Sequence, residues 1–247
     1  MNRHADERAF TLVELLVVIS IIALLIAILL PSLKKAREQT KETVCASNLR
    51  SLLLAVQEYA VSNNDYLVTA GLSHGGNVDE QAAWINTLKT EYGNELVARC
   101  PSDKSPYWET PWPTTTQERR TSFATTYYTV KEIGGKGPYN RFGLIRRASD
   151  TVFMVELAEK TQFAVADHVH PEDWWSNPDV LAVEQVAETR HRDRANYSFF
   201  DGHVSPYRFS RTYEIDLAES RFPQYLYFNH NLYDPAIVPG GKKPMQP

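Results

Sequence analysis

The chain has 247 residues, a length that suits one domain with an appendage or two small domains. Its formal net charge of -4 argues against a nucleic-acid-binding protein, which usually carries a basic face. Two cysteines are too few for a disulfide scaffold, although they could form one bridge in an oxidising compartment.

The apolar residues are concentrated in one run near the N-terminus. Residues 10–30 are almost wholly apolar, and about 20 residues are enough for a helix to cross a bilayer core. A cleaved secretory signal has a shorter apolar core with a small-residue cleavage site after it, whereas here the small residue Ala9 precedes the run. A plain signal anchor fits the length but does not explain Glu14. A carboxylate in an apolar helix indicates a function unless it reaches water at the interface.

The stretch from Ala9 to Leu16 resembles the processing site of type IV pilins and type II secretion pseudopilins, and Pro31 falls where many pilins have a kinking proline. The resemblance implies that a prepilin peptidase cuts between Ala9 and Phe10 and methylates the new amino terminus of Phe10. It also implies that Glu14 pairs with the amino terminus of a neighbouring subunit during assembly. Ala9 stands where the family usually has Gly.

The same resemblance implies the partners and the location of the chain. The partners would be the prepilin peptidase, other pilin or pseudopilin subunits, an inner-membrane assembly platform and the lipid bilayer, with no nucleic acid and no cofactor. The chain would cross the cytoplasmic membrane once, with its head on the outer side, before it enters the fibre. The positive-inside rule, taken alone, favours the opposite orientation, because more basic residues follow the run than precede it. These residues are Arg3 and Arg8 before it, and Lys34, Lys35, Arg37 and Lys41 after it.

Beyond Pro31 the pattern becomes amphipathic. Apolar residues recur at spacings of four, three, four and three, which is typical of one helix face. They are Cys45, Leu49, Leu52, Val56 and Tyr59. Turn-forming residues from Ser62 onward mark the end of this helix. We therefore predict one helix from about Phe10 to about Ser62, kinked at Pro31 because proline lacks the amide donor.

The remainder predicts an α+β, pilin-like fold in which the long helix packs on a head with an antiparallel β-sheet. The predicted head elements are a short helix over residues 79–92, strands over 97–100, 122–130 and 151–157, and a hairpin of 197–200 with 203–207. Asp201-Gly202 supplies the tight turn of that hairpin, because glycine takes the positive φ that such turns need. Pro206 places the second hairpin strand at a sheet edge.

These elements divide the chain into five predicted segments. The first three are the leader, the transmembrane and fibre-core half of the helix, and its amphipathic half. The last two are the globular head with the hairpin and a disordered tail. Their ranges are 1–9, 10–30, 31–63, 64–239 and 240–247.

A second resemblance lies near the C-terminus. Nine residues separate His191 from Asp201-Gly202, which resembles the His-x9-Asp-Gly signature of pilin-like proteins abundant in planctomycetes and related bacteria. Two further stretches fit that group, one from Cys45 to Leu49 and one from Cys100 to Asp103. The resemblance does not imply a biochemical role for the signature.

Histidine and carboxylate side chains raise the question of a metal site. His191, Asp201, His168 and His170 are of the types that zinc and other divalent ions take. No tight cluster such as His-x3-His is present, and Asp201 already has a role in the turn. We therefore predict no bound metal, with these four residues as the candidates if one binds. The alternative role for His191 is a hydrogen bond across the hairpin or to a loop carbonyl.

The sequence does not decide whether the two cysteines are bridged or free. A bridge between Cys45 and Cys100 would staple the helix to the head and stabilise it by about 3–4 kcal/mol in the chain-entropy model. Alternatively, both are buried free thiols, which behave as small apolar groups.

Three functions compete at this level. A structural fibre subunit accounts for the whole processing site, although the sequence does not choose between a type II secretion pseudopilus and a type IV pilus. An anchored enzyme using His191 with Asp193 or Asp201 lacks any Gly-x-Ser-x-Gly, phosphate-loop or zinc-protease motif, so we predict no enzyme. A binding module at a fibre tip could display tryptophans to glycans or polymers, with Trp174 or Trp175 exposed. The tryptophans are Trp84, Trp108, Trp112, Trp174 and Trp175.

Overall fold

The computed structural model describes most of the chain. The described residues are 12–74, 79–130, 138–174, 177–215, 225–235 and 242–244. The chain divides into two compact units, Met1–Thr40 and Lys41–Pro247. Helix α1 runs from Leu12 to Ser62 and therefore contributes to both units. Its residues 12–40 are the described part of the first unit, and its residues 41–62 are the first element of the second.

The C-terminal end of α1 lies where the turn-forming residues predict it. Asn64 and Asp65 have φ values of 54° and 69°, and asparagine and aspartate tolerate this left-handed region better than most residues. The amide of Asp65 donates to the carbonyl oxygen of Ala60 at 2.9 Å, which satisfies one of the free carbonyls at the helix end.

The amphipathic face of α1 is confirmed within the second unit. Cys45, Leu49, Leu52 and Val56 are all fully buried, and Tyr59 is half-buried against the same cluster. They pack against apolar side chains of the head. Those side chains include Trp84, Leu88, Phe123, Phe153 and Phe200. The three-four spacing therefore identified the core-facing side of the helix.

Two predictions between α1 and the sheet differ from the structure. The predicted helix over 79–92 is two single turns, α2 (Trp84–Thr87) and α3 (Lys89–Tyr92). The predicted strand over 97–100 is wrong, because residues Glu95–Ala98 form a 3₁₀ helix. The side chain of Asn94 accepts the amide of Leu96 at 3.0 Å, and this local cap draws the segment into a turn.

A five-stranded sheet forms the centre of the head. Its strands are β1 (Phe123–Thr126), β2 (Val152–Glu156), β3 (His168–Val169), β4 (Ala195–Phe199) and β5 (Val204–Tyr207). The order is β3-β1-β2-β4-β5, and neighbouring strands are antiparallel except for the parallel pair of β1 and β3. The α+β, pilin-like class is confirmed. The sheet was predicted to be antiparallel, but it is mixed, because β1 and β3 pair in parallel.

Both faces of this sheet are covered. Successive residues of a strand point to opposite faces, and Phe123 and Ala124 belong to different hydrophobic clusters. The cluster that contains Phe123 includes the buried face of α1, whereas the cluster with Ala124 contains Trp174 and Tyr233. Every residue of β1, β2 and β4 is consequently buried.

The hairpin of β4 and β5 is confirmed. Gly202 has a φ of 101°, and the amide of Gly202 donates to the carbonyl oxygen of Phe199 at 3.0 Å. Strand β5 lies at one edge of the sheet, with Pro206 opposite Asn196. Because proline has no backbone N–H, this edge offers one hydrogen-bond donor fewer to another strand.

The C-terminal part forms a second, smaller sheet. Helices α4 (Pro178–Leu181) and α5 (Phe209–Thr212) precede its strands. The strands are β6 (Tyr213–Ile215), β7 (Tyr225–Asn231) and β8 (Lys242–Pro244), in the order β6-β7-β8 with antiparallel pairing. Residues 242–244, within the segment predicted as a disordered tail, thus form a strand.

Candidate functional site

The first unit presents an apolar helical surface. Its part of α1 has an 18-residue window with a mean hydropathy of 3.2, which makes it long and apolar enough to cross a membrane. The large apolar side chains from Leu12 to Leu33 are exposed along this segment. Apolar surface on this scale is stable in lipid or against other apolar chains rather than in water.

The polar residues of this segment are few. Glu14 lies in the first turn of α1, where a negative charge interacts favourably with the helix dipole. Ser20 donates its hydroxyl to the carbonyl oxygen of Leu16 at 2.7 Å, so the helix itself satisfies this donor. Pro31 lies inside α1, and the predicted kink stays a prediction. Ala9 and Phe10 lie outside the described residues, and cleavage between them also stays a prediction.

A buried cluster of titratable groups lies within the second unit. It consists of Cys45 on α1, Cys100 after the 3₁₀ helix, Glu156 at the end of β2, and His191 before β4. One donor atom from each residue lies within 4.8 Å of each of the others. All four residues are buried, and Cys45 and Cys100 are free thiols.

The Glu156 carboxylate is the centre of this cluster. Its Oε1 atom lies 2.8 Å from Nε2 of His191 and accepts hydrogen bonds from the Cys45 thiol and the Asn196 amide. Its Oε2 atom accepts the backbone amide of Asn196 at 3.2 Å. Cys100 completes the group, with its Sγ atom 3.6 Å from Nε2 of His191. Glu156 was not among the candidates predicted from the sequence, although an acid within an apolar strand was a signal for it.

These contacts shift the pKa values of the cluster. Burial lowers the pKa of His191, but its contacts with Cys100 and Glu156 outweigh burial and raise that pKa to about 9. The hydrogen bond with Cys45 lowers the pKa of Cys100 to about 6, whereas burial raises the pKa of the Cys45 thiol. Cys100 and Glu156 are fully buried and His191 is only 4% exposed, so the cluster offers almost no exposed atom with which to attack a substrate. The arrangement therefore favours a structural role over catalysis.

The stretches that carry the second resemblance interlock around this cluster. The side-chain amide of Asn48 donates to the carbonyl oxygen of Arg99 at 3.0 Å, directly before Cys100. The carboxylate of Asp103 lies 3.4 Å from the guanidinium of Arg190, directly before His191. These two contacts join residues that are far apart in the sequence, and they lie next to Cys100 and His191.

A fully buried ion pair supports the same region. Both Arg119 and Asp103 have side chains with no exposed area, and Nε and one terminal nitrogen of Arg119 donate to Oδ2 of Asp103 at 2.9 and 2.6 Å. The guanidinium of Arg119 also donates to three backbone carbonyl oxygens, at 2.6 to 3.0 Å. These belong to Leu157, Ala158 and Ala164. Burial lowers the pKa of Arg119 to about 10, so it stays charged at neutral pH.

The structure separates His191 from the other half of its signature. Asp201 lies in the hairpin turn, where Oδ1 accepts the backbone amide of His203 at 3.1 Å and lies 2.6 Å from Nδ1 of that residue. The side chain of His191 contacts Glu156 and Cys100 rather than a loop carbonyl. The candidate pairing of His191 with Asp201 in one metal site therefore does not match the structure.

A second cluster contains the other histidine candidates. His168 and His170 meet His74, and one nitrogen from each lies within 4.8 Å of the others. The Nε2 atoms of His74 and His170 are 3.0 Å apart. The Nδ1 atom of His168 lies 3.1 Å from Asp167, and that of His170 lies 2.9 Å from Glu172. His168 and His170 thus lie close together, and they meet His74, which the sequence did not single out because it lies far away along the chain.

This histidine cluster predicts a loss of stability in acid. Burial lowers the pKa of His74 from 6.5 to about 4, and the charges of His170 and His168 act in the same direction. The unfolded chain takes up this proton first, so the stability from His74 is complete above about pH 6.5 and is lost as the pH falls towards 4. We expect the thermal midpoint to fall more steeply between pH 7 and pH 4 in the wild type than in His74→Gln. Parallel curves in circular dichroism melts would contradict this assignment.

The tryptophans do not support an exposed binding platform at the predicted place. Trp84 and Trp174 are fully buried. Trp175 lies outside the described residues, so exposure of one of the adjacent pair Trp174 and Trp175 stays a prediction that now rests on Trp175. Trp108 and Trp112 are half-buried. The ring of Trp108 packs under the guanidinium of Arg99 at 4.5 Å. Aromatic burial in this head therefore serves packing.

Comparison with known proteins assigns the N-terminal segment. Residues 5–30 match the family described as the prokaryotic N-terminal methylation motif, which is a type IV pilin signal. The chain is also 42% identical over 61 residues to the type IV wide pilus major component PilA4 of Thermus thermophilus. That alignment covers 25% of this chain and 47% of PilA4, so the chain spans about half the length of this relative. No solved structure matches the chain.

Proposed function

We propose that the chain is a pilin-like structural subunit, made as a membrane-anchored precursor and assembled into a fibre through its N-terminal helix. The observation that carries this proposal is the methylation motif over residues 5–30, which includes an acid in the first turn of a 51-residue helix. The exposed apolar side chains of that helix support it, because they need lipid before assembly and neighbouring helices afterwards.

The first proposed step is processing. A prepilin peptidase cuts between Ala9 and Phe10 and methylates the new amino group of Phe10. That group carries a positive charge, and Glu14 of an adjacent subunit carries the matching negative charge. Removing one partner of a buried ion pair costs about 3–5 kcal/mol, because the other charge is left uncompensated. The pairing would thus set the register of each subunit as it leaves the bilayer.

The second proposed step is assembly from the cytoplasmic membrane. The chain crosses this membrane once with its head on the outer side, and an inner-membrane platform extracts it into the fibre. The relative's description as a type IV wide pilus component favours a type IV pilus over a type II secretion pseudopilus. We also propose that the head has no enzymatic activity, since the four residues of the described cluster, Cys45, Cys100, Glu156 and His191, are all buried.

Processing provides the direct test of this proposal. We expect membrane-extracted chain to begin at N-methylated Phe10 when it is made with a prepilin peptidase, and to keep residues 1–9 without one. Intact mass and N-terminal sequencing measure both properties. The variant Ala9→Gly separates a poor cleavage site from a wrong assignment. If Ala9→Gly also stays uncut, the fibre proposal fails and the span is an ordinary anchor.

A further inference from the structure

The buried cluster contains donor atoms of the types that bind zinc in proteins. Cys45, Cys100, Glu156 and His191 offer two sulfurs, a carboxylate oxygen and an imidazole nitrogen, all within 4.8 Å of one another. Structural zinc sites are closed and tetrahedral and draw on these ligand types. The four residues come from four separate segments of the second unit, so the fold, rather than one flexible loop, brings them together.

One of the two separations around His191 matches that of two zinc ligands, and the other is shorter. Zinc bonds to sulfur of about 2.3 Å and to nitrogen of about 2.0–2.1 Å, at a tetrahedral angle, place the two ligand atoms about 3.6 Å apart. The separation of Sγ of Cys100 from Nε2 of His191 is 3.6 Å. The 2.8 Å between Nε2 of His191 and Oε1 of Glu156 is shorter than the roughly 3.4 Å of two zinc ligands. This separation would have to lengthen by about 0.6 Å when zinc binds.

The surroundings of the cluster also fit a metal. Asn196 donates two hydrogen bonds to Glu156 and so fixes the carboxylate, as outer groups commonly do for metal ligands. The backbone amide of Cys100 donates to Oγ of Ser122 at 2.9 Å, which holds the chain beside the sulfur. The side chain of Arg190 is almost fully buried and interacts electrostatically with Cys100 and Glu156. Arg190 also pairs with Asp103 and Glu159, at 3.4 and 2.9 Å, so it would offset only part of the net negative charge of two thiolates and a carboxylate around a divalent ion.

We propose that Cys45, Cys100, Glu156 and His191 bind a structural zinc ion that fastens helix α1 to the core of the head. The site gives His191, the histidine of the C-terminal signature, a role as a ligand. It also unites the two cysteine-containing stretches that accompany that signature in the sequence. Cys45 and Glu156 alone are 111 residues apart, and His191 lies further along the chain, so the ion is captured only as the head folds and it stabilises the folded state.

The first test measures metal and thiols in the full-length chain, purified in detergent without chelator or reductant. We expect about one zinc per chain by elemental mass spectrometry. After unfolding in chelator without reductant, both cysteines should react with an alkylating agent. Unreactive cysteines would show a Cys45–Cys100 disulfide and overturn the proposal. A zinc-free chain whose thermal midpoint does not rise on adding zinc would overturn it as well, because a ligand of the folded state must stabilise that state.

Variants then locate the ion. We expect His191→Gln to bind zinc about tenfold or more weakly, while His170→Gln and Asp201→Asn retain it. His170→Gln tests the other histidine cluster, and Asp201→Asn tests the second half of the signature. Loss of zinc in His170→Gln with retention in His191→Gln would move the ion to the histidine cluster and refute the proposal.

A spectroscopic measurement covers the case in which His191→Gln does not fold. Cobalt replaces zinc in the wild-type chain, and tetrahedral cobalt bound to thiolates gives intense charge-transfer absorption. We expect that absorption to appear with one equivalent of cobalt and to disappear when zinc is added. Cobalt that binds without charge-transfer absorption is not bound by Cys45 and Cys100. That result would also refute the proposed site.

Discussion

The Glu14→Gln chain is expected to enter the membrane and to be cleaved normally, but to assemble into fibres at least tenfold less than the wild type. Glutamine keeps the size of the side chain but removes its charge, so the amino group of the neighbouring Phe10 is left without its proposed partner. Breaking one side of a buried ion pair costs about 3–5 kcal/mol, far more than the 1.4 kcal/mol that corresponds to a factor of ten. The measurement is the fraction of chain recovered in sheared fibres from cells that supply a pilus assembly machinery.

The matched control for this experiment is Glu58→Gln. Glu58 lies on the same helix, but it belongs to the second unit and is exposed. We expect this variant to assemble at the wild-type level, because an exposed carboxylate loses little by neutralisation. Normal fibre yield from Glu14→Gln would show that its charge does not direct assembly, whereas an equal loss in both variants would indicate a general defect.

The largest effect on stability is expected from Arg119→Met. Methionine fills much of the same volume, but Asp103 loses its closest cation and three backbone carbonyl oxygens lose their donor. We expect a loss of about 3–5 kcal/mol in the free energy of unfolding. This corresponds to roughly 10 °C in the thermal midpoint of a domain of this size. Urea and thermal unfolding of the detergent-solubilised chain, followed by near-ultraviolet circular dichroism, measure both quantities.

The adjacent residue provides the control for Arg119. The side chain of Arg120 is 52% exposed, and its guanidinium lies 3.9 Å from Glu80 in a surface ion pair. Arg120→Met should change the stability by no more than about 1 kcal/mol, because such pairs contribute little. Equal effects of the two substitutions would mean that the buried ion pair does not hold this part of the head together.

The parts of the fold that the sequence predicted best have local causes. The spacing of Cys45, Leu49 and Leu52 shows the buried face of α1, because helical periodicity depends only on neighbours three and four residues away. The hairpin of β4 and β5 follows from Asp201-Gly202, since the turn itself requires glycine. These signals lie within a few residues of the feature that they predict.

The parts that escaped prediction depend on tertiary contacts or on short-range competition. Strand β3 has two residues, and its parallel pairing with β1 depends on the whole path of the chain. The residues that follow Asn94 are apolar enough for a strand, yet the asparagine cap draws them into a 3₁₀ helix. No sequence pattern ranks such a cap against a strand reliably.

The candidate site shows the same limit. The sequence analysis selected Cys45, Cys100 and His191, and the structure places all three in one cluster. From the sequence alone, the cysteines stay open between one bridge and two free thiols, and the histidine groups with Asp201 because both belong to one signature. Glu156 joins them across the sheet from a strand that looked purely structural.

The edges of the five-stranded sheet affect whether the sheets of neighbouring heads can pair with one another. Strand β5, at one edge, contains Pro206, and strand β3, at the other, has only two residues. Both features make an edge a poor template for another strand. Heads that a fibre holds side by side at very high local concentration would therefore resist fusing into a continuous sheet.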